Sequence, residues 1–214
     1  HLASWGIGYL HADVGDTGEM TDRGDGFYGA TPILFGIAAG LSVDSVRPSA
    51  EAEYTMVSLA LAWQTQQALS VGAALRILAS GDVRLQGVTT LDLGAGFRPV
   101  DWLALSFVAR DVDGPRLGGT TESVPRSFLL GTALRPFGSR VLTLDAMGAI
   151  DETGRIGGRV AAELTVPLVG RLLAAAQADG LDSGQPDVRL VGGLAIDWGM
   201  IGAGGGIHLA DESG

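Results

Sequence analysis

The residues able to do chemistry in this chain are few, and their spacing narrows what they can do. Histidine occurs only at His1, His11 and His208, and cysteine is absent. A zinc-type centre needs several nitrogen, sulfur or carboxylate ligands converging on one point, and without cysteine neither a thiolate site nor a disulfide is available. Asp197 and His208 fall on consecutive predicted strands and are expected to meet there as a polar pair. The stretch "DVGDTGEMTDRGD" (residues 13–25) has acids at short intervals, loosely like a calcium loop. It lacks the EF-hand order and its closing glutamate, and reads as a solvated loop. "GAGGG" (202–206) has the glycines of a phosphate cradle without the following helix or lysine that the cradle needs. All 14 basic residues are arginine, so a Ser–Lys dyad is impossible within these residues, and no G-x-S-x-G elbow occurs. The expectation is a chain with no metal, no cofactor and no catalytic constellation of its own.

The remaining charges form a different pattern. In "LDLGAGFRPVDWLALSFVARDV" (91–112), Leu91, Leu93, Ala95 and Phe97 alternate with Asp92, Gly94, Gly96 and Arg98. After the turn, Leu103, Leu105, Phe107 and Ala109 alternate with Ala104, Ser106 and Arg110. Period two is the signature of a strand with two unlike faces. The same spacing recurs down the chain. It places Arg76, Asp92, Arg98, Arg110, Arg135, Asp145, Arg159, Glu163 and Asp197 on a face otherwise made of Gly, Ala and Ser. Isolated charges on an enclosed face are too costly to keep. Cross-strand pairing of the two signs is therefore expected: Asp92, Arg98 and Arg110 with Arg76 on one side and Asp145 or Glu163 on the other.

The elements that would position these residues are short strands. Alternation runs through 5–9, 57–63, 69–77, 91–98 and 103–110, and more weakly through 127–151, 159–164, 171–177, 189–198 and 201–209. Residues 11–29 read as a polar, glycine-rich loop, and 33–41 as an apolar run without alternation. "PFGS" (136–139) is the turn of a hairpin, and "GLDSGQPD" (180–187) a longer connection. Pro99, Pro136 and Pro167 stand in turns or at strand starts, where a missing donor does not harm the ladder. No segment has amphipathic helix spacing, no tandem repeat is present, and no linker divides the chain. Residues 1–214 read as a single domain. With no initiating Met and no signal-like start, it reads as a segment of a longer chain.

Composition selects the environment. Apolar residues make up 46% and charged residues 18%, against about 25% charged in ordinary soluble domains. The net charge of −10 argues against a nucleic-acid partner, which demands a basic surface. No apolar stretch is long enough for a transmembrane helix. A soluble β-sandwich serving as a binding module is the alternative, but it would wet its second face with Lys, Glu, Thr and Ser. The pattern instead predicts an all-β, antiparallel, up-and-down transmembrane β-barrel of roughly 12 or more strands, because in lipid every main-chain polar group must pair internally. The lipid bilayer is then the first partner. Leu59, Leu61, Val71, Leu75, Leu93, Leu105 and Leu144 are expected against lipid or detergent. Trp63, Trp102 and Trp198, near strand ends, are expected in an interfacial girdle. The interior is expected to be narrow, polar and largely filled.

The hairpins "TTLDLGAGFRPVDWLALSFVARDV" and "VPRSFLLGTALRPFGSRVLTLDA" resemble the outer-membrane barrels of the FadL/PorV type, in which a strand ends in R-P, a short turn follows and the next strand carries L-x-L. "VPRSFLLGTALRP" approximates the group's P-x-x-x-x-L-G-x-A-x-R-P strand. The resemblance spans residues 50–210 as a pattern. The Asn-Pro-Ala element of the FadL/PorV plug has no counterpart. Barrel-like segments of this style also precede the peptidase part of some SppA-type signal peptide peptidases. The resemblance implies a bacterial (Gram-negative) outer-membrane location. It also implies an anchoring or scaffolding role toward partner proteins, or a channel for a small apolar or amphipathic, lipid-like ligand. The SppA likeness implies a non-catalytic N-terminal domain whose peptidase lies elsewhere.

Overall fold

In the computed structural model the protein is described over residues 6–17, 20–33, 35–49, 52–65, 68–118, 120, 123–166, 169–184, 186–198 and 201–210. The described residues form strands and turns, with no helix among them. The strands are β1 (Gly6–Thr17), β2 (Met20–Pro32), β3 (Ile37–Ser49), β4 (Ala52–Gln64), β5 (Leu69–Ser80), β6 (Thr89–Val100), β7 (Leu103–Arg110), β8 (Ser127–Leu134), β9 (Leu142–Asp151), β10 (Ile156–Val166), β11 (Gly170–Asp179), β12 (Asp187–Trp198) and β13 (Ile201–Ala210). They lie in one 13-stranded sheet in strict chain order, an antiparallel up-and-down meander. Among the described residues no ladder joins β13 back to β1. The expected closed barrel is therefore present here as an open succession of strands.

Two stretches differ from their sequence reading. Residues 11–29, expected as a loop, form the β1–β2 hairpin, with Tyr9 opposite Phe27 and His11 opposite Asp25. The ladder is a main-chain contact, and glycine and polar residues enter it as readily as apolar ones. The apolar run 33–41 is split by a tight turn at which Phe35 (φ 52) and Gly36 (φ 81) both take the left-handed conformation, as primed hairpin turns require. β3 starts immediately after it.

The contacts gather into two compact units: residues 1–95 with 108–126, and residues 96–107 with 127–214. In the first unit the register aligns like with like. Phe27, Val43, Val57 and Ile77 form one cross-strand row, and Leu41, Leu59 and Leu75 the next. Apart from the half-buried Val57, these large apolar side chains are exposed. On β5 exposure alternates strictly, with Leu69, Val71, Ala73, Leu75 and Ile77 outermost and Ser70, Gly72, Ala74, Arg76 and Leu78 less exposed. A bulge sets the phase of the next strand. Gly87 N–H donates to the Leu78 carbonyl (2.9 Å), and Leu78 N–H donates to the Val88 carbonyl (2.8 Å). Two residues thus face one, and Gly87 has φ 73, the glycine-first bulge geometry.

The second unit repeats the arrangement. Leu144, Ala162, Ala174 and Gly192 line one row, and Leu142 and Leu164 the next, with Leu164 opposite Leu172 and Leu172 opposite Leu194. Phe107 and Phe128 stack across neighbouring strands, with centroids 6.4 Å apart and an interplanar angle of 16°. Buried apolar side chains among the described residues are Val88, Ala109 and Leu129 alone. The sheet is held by its ladder and by cross-strand pairs, with no conventional core.

Two glycines separate conformational strain from collision. A Cβ at Gly36 would run into the Gln64 carbonyl oxygen, whereas one at Gly87 meets nothing within 4 Å. Gly87→Ala should cost about 1 kcal/mol, the left-handed penalty alone, and Gly36→Ala about 2–3 kcal/mol or more. Denaturant midpoints followed by tryptophan fluorescence check this. Equal losses at the two positions would contradict the turn geometry.

Candidate functional site

The charged centre of the first unit grows from β5 and β6. The register set by Leu78 and Val88 places Thr90 across from Arg76, on the face away from the exposed leucines. Arg76 Nη2 donates to Asp92 Oδ1 at 2.7 Å and to Asp111 Oδ1 at 2.9 Å. The three side chains are 22%, 16% and 13% exposed respectively. One guanidinium thus neutralises two carboxylates. Asp92 Oδ1 also accepts the Asp111 main-chain N–H at 3.0 Å. Asp111 follows the last residue of β7 and has φ 54, a conformation that Asp tolerates better than most residues. That turn swings its carboxylate onto Arg76.

The segment after it is tied down in turn. Asp113 Oδ1 accepts the Leu91 N–H at 3.0 Å, and Gly118 N–H donates to the Arg84 carbonyl at 2.8 Å. Thr90 is left only 3% exposed. Its hydroxyl and Arg76 Nε are buried without a hydrogen-bond partner. In the neighbouring turn, hydrogen bonds from Arg84 hold the partly exposed Asp82 carboxyl below its usual range.

The other charges read from the sequence are distributed as follows. Arg98 is exposed on β6, and Arg110 is exposed at the end of β7. Arg135 is half-buried immediately after β8. In the second unit Asp145 stands opposite Ala161 and so lies diagonally between Arg159 and Glu163, a spacing that long side chains bridge. Arg159 is opposite Gln177, and Gln177 opposite Arg189. Thr165 Oγ1 donates to Glu163 Oε1 at 3.4 Å. The side chain of Asp197 lies outside the described residues. Its main chain is opposite Gly202, while His208 is opposite Val191. Six ladder positions, about 20 Å, separate their main chains, and the side chains of both lie outside the described residues. "GAGGG" lies within β13, paired residue for residue with β12, and makes no phosphate loop. The side chains of residues 13–25 are outside the described residues. Among those described, no three metal-ligating side chains come together.

Asp111, Asp113 and Thr90 were not legible as site residues. Asp111 leaves the alternation because its φ breaks the strand, and no parity rule reaches across such a break. The available signal was "RDVDG" directly after a strand, a turn-forming sequence. On the apolar, exposed side of the second unit lies a cavity of about 710 Å³, floored by Ala146, Gly148, Gly158 and Ala176 between Leu130 and Val160. It offers shape and hydrocarbon, not reactive groups.

Arg76→Met should destabilise the protein by about 1.5–3 kcal/mol, the range for hydrogen bonds to charged groups, because two carboxylates lose their shared cation. Limited trypsinolysis at Arg116 should accelerate as the segment loosens. Arg110→Gln, at an exposed position, should stay within about 0.5 kcal/mol. Equal effects of the two changes would deny Arg76 its role.

Comparison with protein family models, with curated proteins and with solved structures finds no match to this chain.

Proposed function

We propose that this chain forms the wall of an outer-membrane β-barrel and serves as a membrane anchor or scaffold. The observation that carries the proposal is the inverted alternation of β5. Leu69, Val71, Leu75 and Ile77 are exposed while Ser70, Gly72, Ala74 and Arg76 on the other face are less so. Water gives no reason to present leucine rows and withdraw arginine. A bilayer gives one, because its interior accepts the leucines and rejects the charge. From Leu69 to Ile77 the strand runs about 26 Å, close to the apolar band of about 25 Å that membrane barrels present.

Closure of the sheet belongs to the proposal, since open edges in hydrocarbon leave main-chain groups unpaired. The Gram-negative setting rests on the hairpin likeness. An anchor is favoured over a wide pore because the Arg76–Asp92–Asp111 cluster pins a segment against the polar face at one end.

Refolding into phosphatidylcholine vesicles is the test. The chain should become protease-resistant and heat-modifiable with lipid, and insoluble without lipid or detergent. Leu93→Arg should lower folding stability in vesicles by about 2–4 kcal/mol. A purified chain that is soluble and monomeric without detergent would sink the membrane reading. Large, steady, weakly selective currents in a planar bilayer would sink the anchoring role and leave a channel.

A further inference from the structure

The turns at the two ends of the second unit differ in kind. At one end the β6–β7, β8–β9 and β10–β11 connections each present a large exposed apolar residue: Trp102 (52%), Phe137 (72%) and Val169 (62%). Tips of turns in water are ordinarily Gly, Asn, Asp or Ser. Near these tips stand Arg98, Arg135, Arg140 and Arg171, with Asp101 beside Trp102 and Glu163 three residues inside the end of β10. The turns are joined through the main chain, with Arg135 N–H donating to the Trp102 carbonyl and Thr165 N–H to the Val141 carbonyl, each at 2.8 Å.

At the opposite end the β9–β10 and β11–β12 turns bring Asp151, Glu152, Asp179, Asp182 and Asp187 together with Arg155 and Arg189. Arg189 is engaged by Asp187 at 2.6 Å. One end of the unit is thus basic and apolar, and the other acidic.

We infer that the Trp102–Phe137–Val169 end binds the headgroups of anionic phospholipid. The inference rests on the membrane reading above and adds a lipid class to it. An exposed aromatic beside a guanidinium has no use in plain water. At a bilayer surface the ring sits at headgroup depth, the arginine stem lies along apolar surface with its charge raised to the interface, and the planar fork takes a phosphate through two parallel hydrogen bonds. Arg135 and Arg140 flank the Phe137 turn beyond the ends of β8 and β9, whereas Arg98 and Arg171, near the ends of their strands, lie on the small-residue face. Both turn arginines are therefore at the level where a headgroup would lie. The acidic end repels the same lipid.

The chain has no cysteine, so Ser139→Cys and Glu152→Cys each place a single fluorophore, one at each end. The labelled 214-residue chain is folded into vesicles of phosphatidylcholine and phosphatidylglycerol. Quenching by headgroup-spin-labelled phosphatidylglycerol is then compared with quenching by the phosphatidylcholine analogue. At Ser139→Cys the anionic lipid should be enriched at least about five-fold, the factor for one arginine at an anionic surface. At Glu152→Cys it should show no enrichment. The R135Q/R140Q double variant should remove the preference, the corresponding Lys double should retain it, and R140Q alone, in an exposed turn, should reduce it. Raising the salt should weaken it. Equal ratios at the two ends, or a preference that survives the glutamine substitutions, would overturn this inference and leave the membrane reading intact. No quenching by either lipid at either end would overturn both.

Discussion

Among the described side chains, Val88, Ala109 and Leu129 are too little apolar burial to organise the strands, so the main-chain ladder between neighbouring antiparallel strands fixes every other feature. Each strand from β2 to β12 pairs its N–H and C=O groups with the strand before and the strand after it, in chain order. Side chains are thereby released from the task of making a core. The two faces can diverge, and they do. Leucine, valine and phenylalanine gather in rows on one side, and glycine, alanine, serine and isolated charges on the other. A fold that relied on apolar burial would not survive with so many large apolar groups exposed in water. A fold that relies on the ladder leaves that face free for another solvent.

The Arg76 cluster follows from the same constraint. A charge on the small-residue face is tolerable only with partners, and β6 supplies Asp92 within reach. The second carboxylate arrives differently, from a residue that has left the strand. The left-handed conformation of Asp111 turns the chain back, so that its main chain and its side chain both bind within the cluster. One guanidinium and two carboxylates thereby fasten a segment that no ladder holds.

Most of the strand pattern was legible because period-two alternation is a local signal. Leu59 to Trp63, Leu69 to Ile77 and Leu91 to Phe97 declared both their conformation and their unlike faces. The β1–β2 hairpin was not legible, since glycine and acidic residues in "DVGDTGEMTDRGD" hide a strand whose stability comes from main-chain pairing. Site geometry was legible only where it followed parity. Arg76 and Asp92 share a face by counting, whereas Asp111 reaches that face through a turn. Asp197 and His208 were assigned to neighbouring strands correctly, but distance along a ladder depends on register. A hairpin's register is fixed at its turn, which counting from either side does not reveal.

The residue-for-residue register has a bearing on how such a chain can change over time. Substitution within a size class leaves the two faces as they are. Gain or loss of a single residue inside β4 or β5 would exchange them, sending Arg76 to the leucine side and Leu75 to the small-residue side. The glycine-first bulge at Gly87 is one place where an extra residue has been absorbed with the phase restored by β6. Length variation among descendants of this chain therefore belongs in the connections, above all residues 111–126 and 180–186, while strand lengths stay frozen even as their sequences drift.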